Sequence, residues 1–376
     1  MGCGLGADDQ LVLRFDDLTG EPFDLSYTIE HCNADWRPSG LVRTADTDGS
    51  QNELVPTGRQ SFGTLQPFIN YELIFPNQFM KITRSGNYVL KVHVTGNEDE
   101  LLLTRRFVVV ENRLDVQARI VAARDVRERD VVQQLELTVR HPGVNVQDPF
   151  SDLTVVALQN MDWESAKSDI KPMFIRSDEL VYDRPLNAAF PGLNEWRNFD
   201  LKDFGFVTRE VRSIVQGRDN FEAVLLPDEK RNIRVYLEQP DINGRFLIRN
   251  DQSWDHVLGA DYVKVHFSLP MDYPVGPGDV YIYGGFSDMK LRPEYKMTWN
   301  EEAKAYQLST LLKQGYYNYL YAYKRPVKEA PKDVLRLEGS MNQTENEYQV
   351  FVYLRDRQTN TDRLIGYRFF NSRSDR

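Results

Sequence analysis

Arg84-Ser85-Gly86-Asn87-Tyr88-Val89-Leu90-Lys91-Val92 opens on turn residues and then alternates. Glycine supplies the backbone freedom of a tight turn, and the run after it sets Tyr88, Leu90 and Val92 on one face. That is the signature of a half-buried strand. The same punctuation continues outward. Leu11–Phe15, Leu25–Glu30, Phe68–Phe75, Tyr88–Val94 and Leu101–Val110 are short apolar or alternating runs. Thr19-Gly20-Glu21-Pro22, Pro76-Asn77 and Thr95-Gly96-Asn97 separate them as turns. Short strands at close spacing with Gly/Pro punctuation predict a β-sandwich.

The pattern does not stop there. Near Glu111-Asn112-Arg113-Leu114 a second unit opens, with strands expected at Val116–Ala122, Leu135–Arg140 and Leu153–Gln159. A third follows Arg234–Tyr236, with strands at Val263–Leu269, Val280–Tyr283, Tyr306–Ser309, Tyr316–Tyr323 and Tyr348–Leu354. Asn300-Glu301-Glu302-Ala303 reads as a turn, and 121–134 is the best alternative for a helix. The expected architecture is all-β: tandem immunoglobulin-like β-sandwich domains over 1–112, 113–238 and 239–376.

Composition agrees. The chain has 376 residues, 41% of them hydrophobic and 12% aromatic, with 19 tyrosines and 20 phenylalanines. This fills several cores and suits pleated surfaces. A net charge of −10 opposes binding to a phosphate backbone, which excludes nucleic acid as an expected partner. No stretch of about 18 apolar residues predicts a membrane-spanning helix. The two cysteines, Cys3 and Cys32, allow one disulfide at most. Met1-Gly2-Cys3-Gly4-Leu5-Gly6-Ala7-Asp8-Asp9 reads as neither a signal peptide nor a lipoprotein signal.

Rare residues crowd into Tyr27-Thr28-Ile29-Glu30-His31-Cys32-Asn33-Ala34-Asp35-Trp36-Arg37-Pro38-Ser39-Gly40. His31 beside Cys32 invites a thiol-nucleophile reading. Adjacent strand residues point to opposite faces, so the two cannot form a dyad with one another. A strand running into an ordered turn fits better, with Trp36 packed on the first sandwich and Asn33 and Asp35 bonding turn amides. Asp46-Thr47-Asp48-Gly49-Ser50-Gln51-Asn52-Glu53 places its glycine wrongly for a calcium loop, and Thr57 stands at the twelfth position where a carboxylate is needed. Phosphate loops, a nucleophile elbow and paired metal-ligand spacings are absent from the sequence. No catalytic, cofactor-binding or metal-binding residues are assigned.

Asp279-Val280-Tyr281-Ile282-Tyr283-Gly284-Gly285-Phe286-Ser287-Asp288, then Met297-Thr298-Trp299-Asn300, then Gly315-Tyr316-Tyr317-Asn318-Tyr319-Leu320-Tyr321, resembles early-set sandwiches that include starch- and glycogen-binding modules. Met289 stands where those modules carry a sugar-stacking tryptophan. A carbohydrate-binding protein near cell-surface polysaccharide is therefore the alternative reading, with Trp299 as its test position.

A wider resemblance decides between them. It rests on Leu13-Arg14-Phe15-Asp16-Asp17-Leu18, His31-Cys32-Asn33-Ala34-Asp35-Trp36, Phe75-Pro76-Asn77, Ser85-Gly86-Asn87-Tyr88 and Thr104-Arg105-Arg106-Phe107. It continues through Asn194-Glu195-Trp196-Arg197-Asn198-Phe199-Asp200, Leu312-Lys313-Gln314-Gly315-Tyr316-Tyr317-Asn318-Tyr319, Gln343-Thr344-Glu345-Asn346-Glu347-Tyr348 and Asp362-Arg363-Leu364-Ile365-Gly366. In this order they resemble the plug protein of the bacterial type IX secretion system across nearly the whole chain. The sequence departs at Gly63, where the family has Asn, and at Ile69-Asn70-Tyr71, where it has Thr-His-Tyr. The family's export signal and upstream strand are not read here. The resemblance implies a periplasmic, non-enzymatic protein associated with the outer membrane. Its partner would be the translocon barrel, whose periplasmic mouth it closes. Pro191–Trp196 and Phe286–Leu291 are the candidate docking loops; the alternative is that their aromatics fold back onto their own domains.

Overall fold

The computed structural model describes residues 2–6, 9–233 and 235–373. Parts of the N-terminal stretch, Arg234 and the end of the charged tail at 374–376 therefore lie outside the described residues. Strands dominate. Among the described residues the two α-helical segments, Pro149–Asp152 and Leu335–Glu338, are single turns, and no helix is long and apolar enough to cross a membrane.

The first unit is a sandwich. One sheet runs in the order Gly2–Gly4, Asn97–Val110, Gly86–Val94, Leu25–Cys32, Glu53–Leu54. The other joins Leu11–Asp17, Ile69–Phe75 and Arg59–Gln60. Alternation does what period two requires: Tyr88, Leu90 and Val92 are fully buried and meet Tyr27, Ile29, Tyr71 and Phe107 between the sheets. Gly2–Gly4, given no element in the sequence reading, pairs in parallel with Val108–Val110 and drops Cys3 into this core. A short strand thus precedes Leu11–Asp17.

The middle unit departs from the expected boundary. Asp115–Ala122, Val132–Arg140, Glu179–Tyr182 and Phe174–Ile175 form one sheet, with Ala189–Pro191 pairing on Val132–Gln134. The facing sheet is Leu153–Gln159, Glu347–Asp356 and Thr361–Asn371. Tyr348, Val350, Val352 and Phe370 share a core with Val116, Leu137, Val155 and Tyr182. The final hairpin therefore belongs here, not to a 239–376 domain. The helical alternative at 121–134 also fails: two strand ends flank a short 3-10 turn at Val126–Glu128.

The third unit is inserted between the halves of the middle one. Arg197–Asp200 pairs with Gly315–Lys324, while Phe221–Leu225 pairs in parallel with Tyr262–Pro270. Phe199, Leu201, Val211, Ala223 and Leu225 pack with Val263, Phe267, Tyr317 and Tyr321 in one core. Residues before 239 thus complete this sandwich, so the expected cut at 238/239 runs through its interior. Asn300 Oδ1 accepts from the amides of Glu302 and Ala303, the turn expected there.

Candidate functional site

The rare-residue turn lies at the junction of the first and middle units. Cys32 bridges to Pro38, Asn33 N–H donates to Arg37 O at 2.9 Å, and Trp36 sits in the left-handed region at φ 65°. Asp35 Oδ1 accepts from Arg37 N–H at 3.0 Å, as a turn-capping aspartate should. Asn33 does something else. Its Oδ1 accepts from the amide of Asp362, and Asp362 Oδ2 accepts from the amide of Ala34, both at 3.0 Å. This reciprocal pair ties the turn to the final hairpin. Trp36 bridges two units: Arg106 of the strand Asn97–Val110 lies 4.6 Å over its ring, which meets Trp163 edge-on, 4.7 Å between centroids, and Trp163 packs on Phe351. It packs on the outer face of the first sandwich, as expected, and also on the neighbouring unit, which the sequence reading did not anticipate.

Two other quoted runs, Ser85–Tyr88 and Asp362–Gly366, converge on the same junction. Asn87 donates to Asn33 O and accepts from Tyr353 O–H. Glu111, 10% exposed, takes a bidentate grip on Arg363 and accepts from Ser85 O–H at 2.6 Å. Arg84 reaches Asp356 at 2.5 Å. Gly86, at φ 148°, admits His31, since a Cβ there would come within 2.3 Å of His31 Nε2.

No dyad forms. His31 and Cys32 are both buried; His31 Nε2 lies 3.2 Å from Ser85 O and its ring meets Tyr88 edge-on. Burial lowers the His31 pKa and pushes the Cys32 thiol up to about 11, the reverse of nucleophile activation. Burial raises Cys3 likewise, and both cysteines are free thiols. Among the described residues, no group of three or more His, Cys, Asp or Glu is placed to hold a metal ion.

A second cluster lies inside the third unit, where the chain enters and leaves it. Glu338, 0% exposed, accepts from Arg197 Nε at 3.0 Å, Arg231 Nε at 2.8 Å and Tyr321 N–H at 2.9 Å. Arg197 also holds Asp228, which accepts from the hydroxyls of Tyr319 and Tyr321. Burial alone would raise the Glu338 carboxyl; Arg197 and Arg231 outweigh it and lower it to about 2. Every charge is met, so this is a structural ion network closed to substrate.

Pro191–Trp196 is the seam between the middle and third units, leading from Ala189–Pro191 to Arg197–Asp200. Leu193 and Trp196 are buried with Tyr283, Met289 and Val334, and Asn194 Nδ2 donates to Glu338 O. Phe286–Leu291 folds inward too, Phe286 against Tyr295 and Tyr317 and Met289 beside Trp196. Both docking candidates are therefore packing elements. The tyrosines of Gly315–Lys324 follow: Tyr317, Tyr319, Tyr321 and Tyr323 are interior, and Trp299 leans on Tyr306, so that strand offers no row of open rings to a sugar.

The first and third units also touch. Asp16 binds Lys313 and Tyr262 O–H, and Asp261 accepts from the amides of Leu65 and Gln66. All three pairs of units are in contact.

The model of the type 9 secretion system plug protein 1st domain matches residues 3–111. The chain is also similar to the crystal structure of a hypothetical protein from Parabacteroides merdae ATCC 43184. The two are 30% identical with a TM-score of 0.93, covering 98% of this chain and 93% of that one. The chain belongs to the type IX secretion system plug protein family. Among curated proteins there is no match. Within the plug fold, the family-like runs His31–Trp36, Ser85–Tyr88 and Asp362–Gly366 meet at one junction. Their separation in sequence hid this. The local signal was Trp36, a large apolar ring placed in a turn.

Proposed function

We propose that this protein is the non-enzymatic plug of a type IX secretion system, held in the periplasm against the outer membrane. It occludes the periplasmic mouth of the large β-barrel that exports folded proteins, whenever no cargo-receiving partner occupies the barrel's side. The observation that carries the reading is the plug-family match over residues 3–111.

The structure is suited to the task. A barrel wide enough for folded proteins leaks solutes when empty, and only a stiff body blocks it. Here each unit is locked to both others by buried contacts, such as Glu111–Arg363, Asp16–Lys313 and the Leu193–Trp196 seam. With the two aromatic loops turned inward, the barrel contact falls to side chains left outside. Phe206 and Trp254, 73% and 84% exposed, are candidates; their loops are joined by the Gln252–Asp203 hydrogen bond.

The test is affinity purification of the tagged protein from outer-membrane extract. A large β-barrel should co-purify, and Trp254→Ala with Phe206→Ala should weaken its recovery. Recovery of no large barrel protein overturns the reading.

A further inference from the structure

The third unit is inserted into the middle one through two linkers, 192–196 on the way in and 339–346 on the way out. Three carboxylates meet where these linkers come together. Glu195 belongs to the entry linker and is 2% exposed; Glu345 belongs to the exit linker. Asp241 reaches them from the loop between Phe221–Leu225 and Phe246–Ile248 of the third unit. Its Oδ2 accepts from the amide of Trp196 at 2.5 Å, and its Oδ1 accepts from the amide of Asn243 at 2.7 Å. Asn243 Nδ2 donates to Glu345 Oε1 at 3.1 Å, and the Glu345 amide donates to Glu195 Oε1 at 3.4 Å. Both linkers and the third unit's loop are thus closed into one hydrogen-bonded ring that holds three acids.

Cations are scarce around this ring. Among the described residues, Arg373 at the end of the final strand is the one cation paired with any of the three acids, 3.4 Å from Glu195 Oε1, and it is shared with Glu238. Arg231 touches only the Glu195 backbone carbonyl and spends its charge on Glu338, while Arg245 is taken by Glu347. Tyr236, which donates to Glu195, and Tyr316 are held as neutral phenols by burial. Burial, then the carboxylates of Glu195 and Glu345, raise Asp241 to about 7 against the two amides it accepts, and burial raises Glu195 as well. The help Asp241 gives to closing the ring is therefore complete below its ordinary 3.8 and is lost as pH rises to and through about 7. Glu338, held at about 2, stays ionised across that span.

We propose that this double linker is a pH-sensitive hinge, closed while Asp241 carries its proton and loosened once Asp241 joins Glu195 and Glu345 as a third negative charge. Repulsion then parts the 241–243 loop from the exit linker, and the third unit gains freedom against the middle one. Contacts with the first unit, Asp16 on Lys313 and Asp261 on the Leu65 and Gln66 amides, still hold the third unit and confine the change to the seam. The hinge needs neither the barrel nor a docking surface, so its failure and that of the plug reading are distinguishable.

The experiment is hydrogen exchange read by mass spectrometry on the purified chain at about pH 5 and about pH 8, corrected for the intrinsic rise of exchange with pH. Exchange over 192–200 and 339–347 should be at least about tenfold faster at the higher pH, while Tyr262–Pro270 inside the third unit keeps its protection. Asp241→Asn, which cannot ionise, should lose this response. Glu345→Gln keeps an acceptor for Asn243 but removes one repelling charge, and should reduce the response severalfold; it keeps the test valid if Asp241→Asn misfolds. Linker exchange that ignores pH overturns the proposal. So does a response that folded Asp241→Asn keeps, one that Glu345→Gln leaves unchanged, or one shared equally by Tyr262–Pro270.

Discussion

The Glu338 network inside the third unit and the His31–Trp36 seam between the first and middle units are built from different physics. The Glu338 network buries a full charge against two arginines, with Glu338 at 0% and Arg197 at 8% exposure. The His31–Trp36 seam uses hydrogen bonds from turn and hairpin amides, tryptophan rings and partly exposed ion pairs at a half-open junction. A buried charge has no fallback in water once its partner is gone, whereas a half-open turn does. The Glu338 network should fail abruptly and the His31–Trp36 seam by degrees, although in sequence the His31–Trp36 run alone carries the residues of an apparent active site.

Removing the central charge is the severest test. Glu338→Ala strands Arg197 and Arg231 and should cost about 3–5 kcal/mol in chemical denaturation. A loss under about 1 kcal/mol would erase the contrast between the network and the seam. At the seam, Trp36→Ala should cost about 2 kcal/mol, since the ring is only half-buried. A double-mutant cycle with Trp163→Ala should return a coupling of about 1 kcal/mol. Asn33→Ala leaves the Asp362 amide short of its acceptor and should cost about 1 kcal/mol, with faster proteolysis near the turn.

Acid sharpens the comparison. Glu338 sits at about 2 in the fold against an ordinary value of 4.5, so its contribution is complete above 4.5 and drains as pH falls towards 2. Burial acts oppositely on Asp46 and Asp241, raising them to about 6 and about 7. Their contribution is complete below the ordinary carboxyl range and lost as pH rises through those values. From these three groups thermal unfolding should be latest near about pH 4, and Glu338→Gln should flatten only the acid limb. The smallest effect is at Cys32. With its thiol at about 11, iodoacetamide at pH 8 should label it only after denaturant is added. Rapid labelling of the folded protein would return the turn to the list of reactive sites.

Much of the fold was legible. The runs at Leu25–Glu30, Tyr88–Val94, Val263–Leu269 and Tyr348–Leu354 all lie in strands, because period two and turn chemistry are local. The domain boundaries were not. Leu153–Gln159 finds its partner in Glu347–Asp356 after a whole inserted sandwich, and no local pattern records that pairing. The candidate loops misled for a related reason: Trp196 and Met289 are buried by Tyr283, Leu320, Ala322 and Val334, partners that lie elsewhere along the chain.

The sequence alone determined the strands, the turns, the absence of a local catalytic motif and the family resemblance, since each rests on neighbours along the chain. Tertiary structure decided where Trp36 and Asn33 bind, that Glu338 is the centre of a closed ion network, and that Glu195, Asp241 and Glu345 meet between two linkers. Those outcomes depend on burial and on partners far apart in sequence, and both are set only when the sheets close.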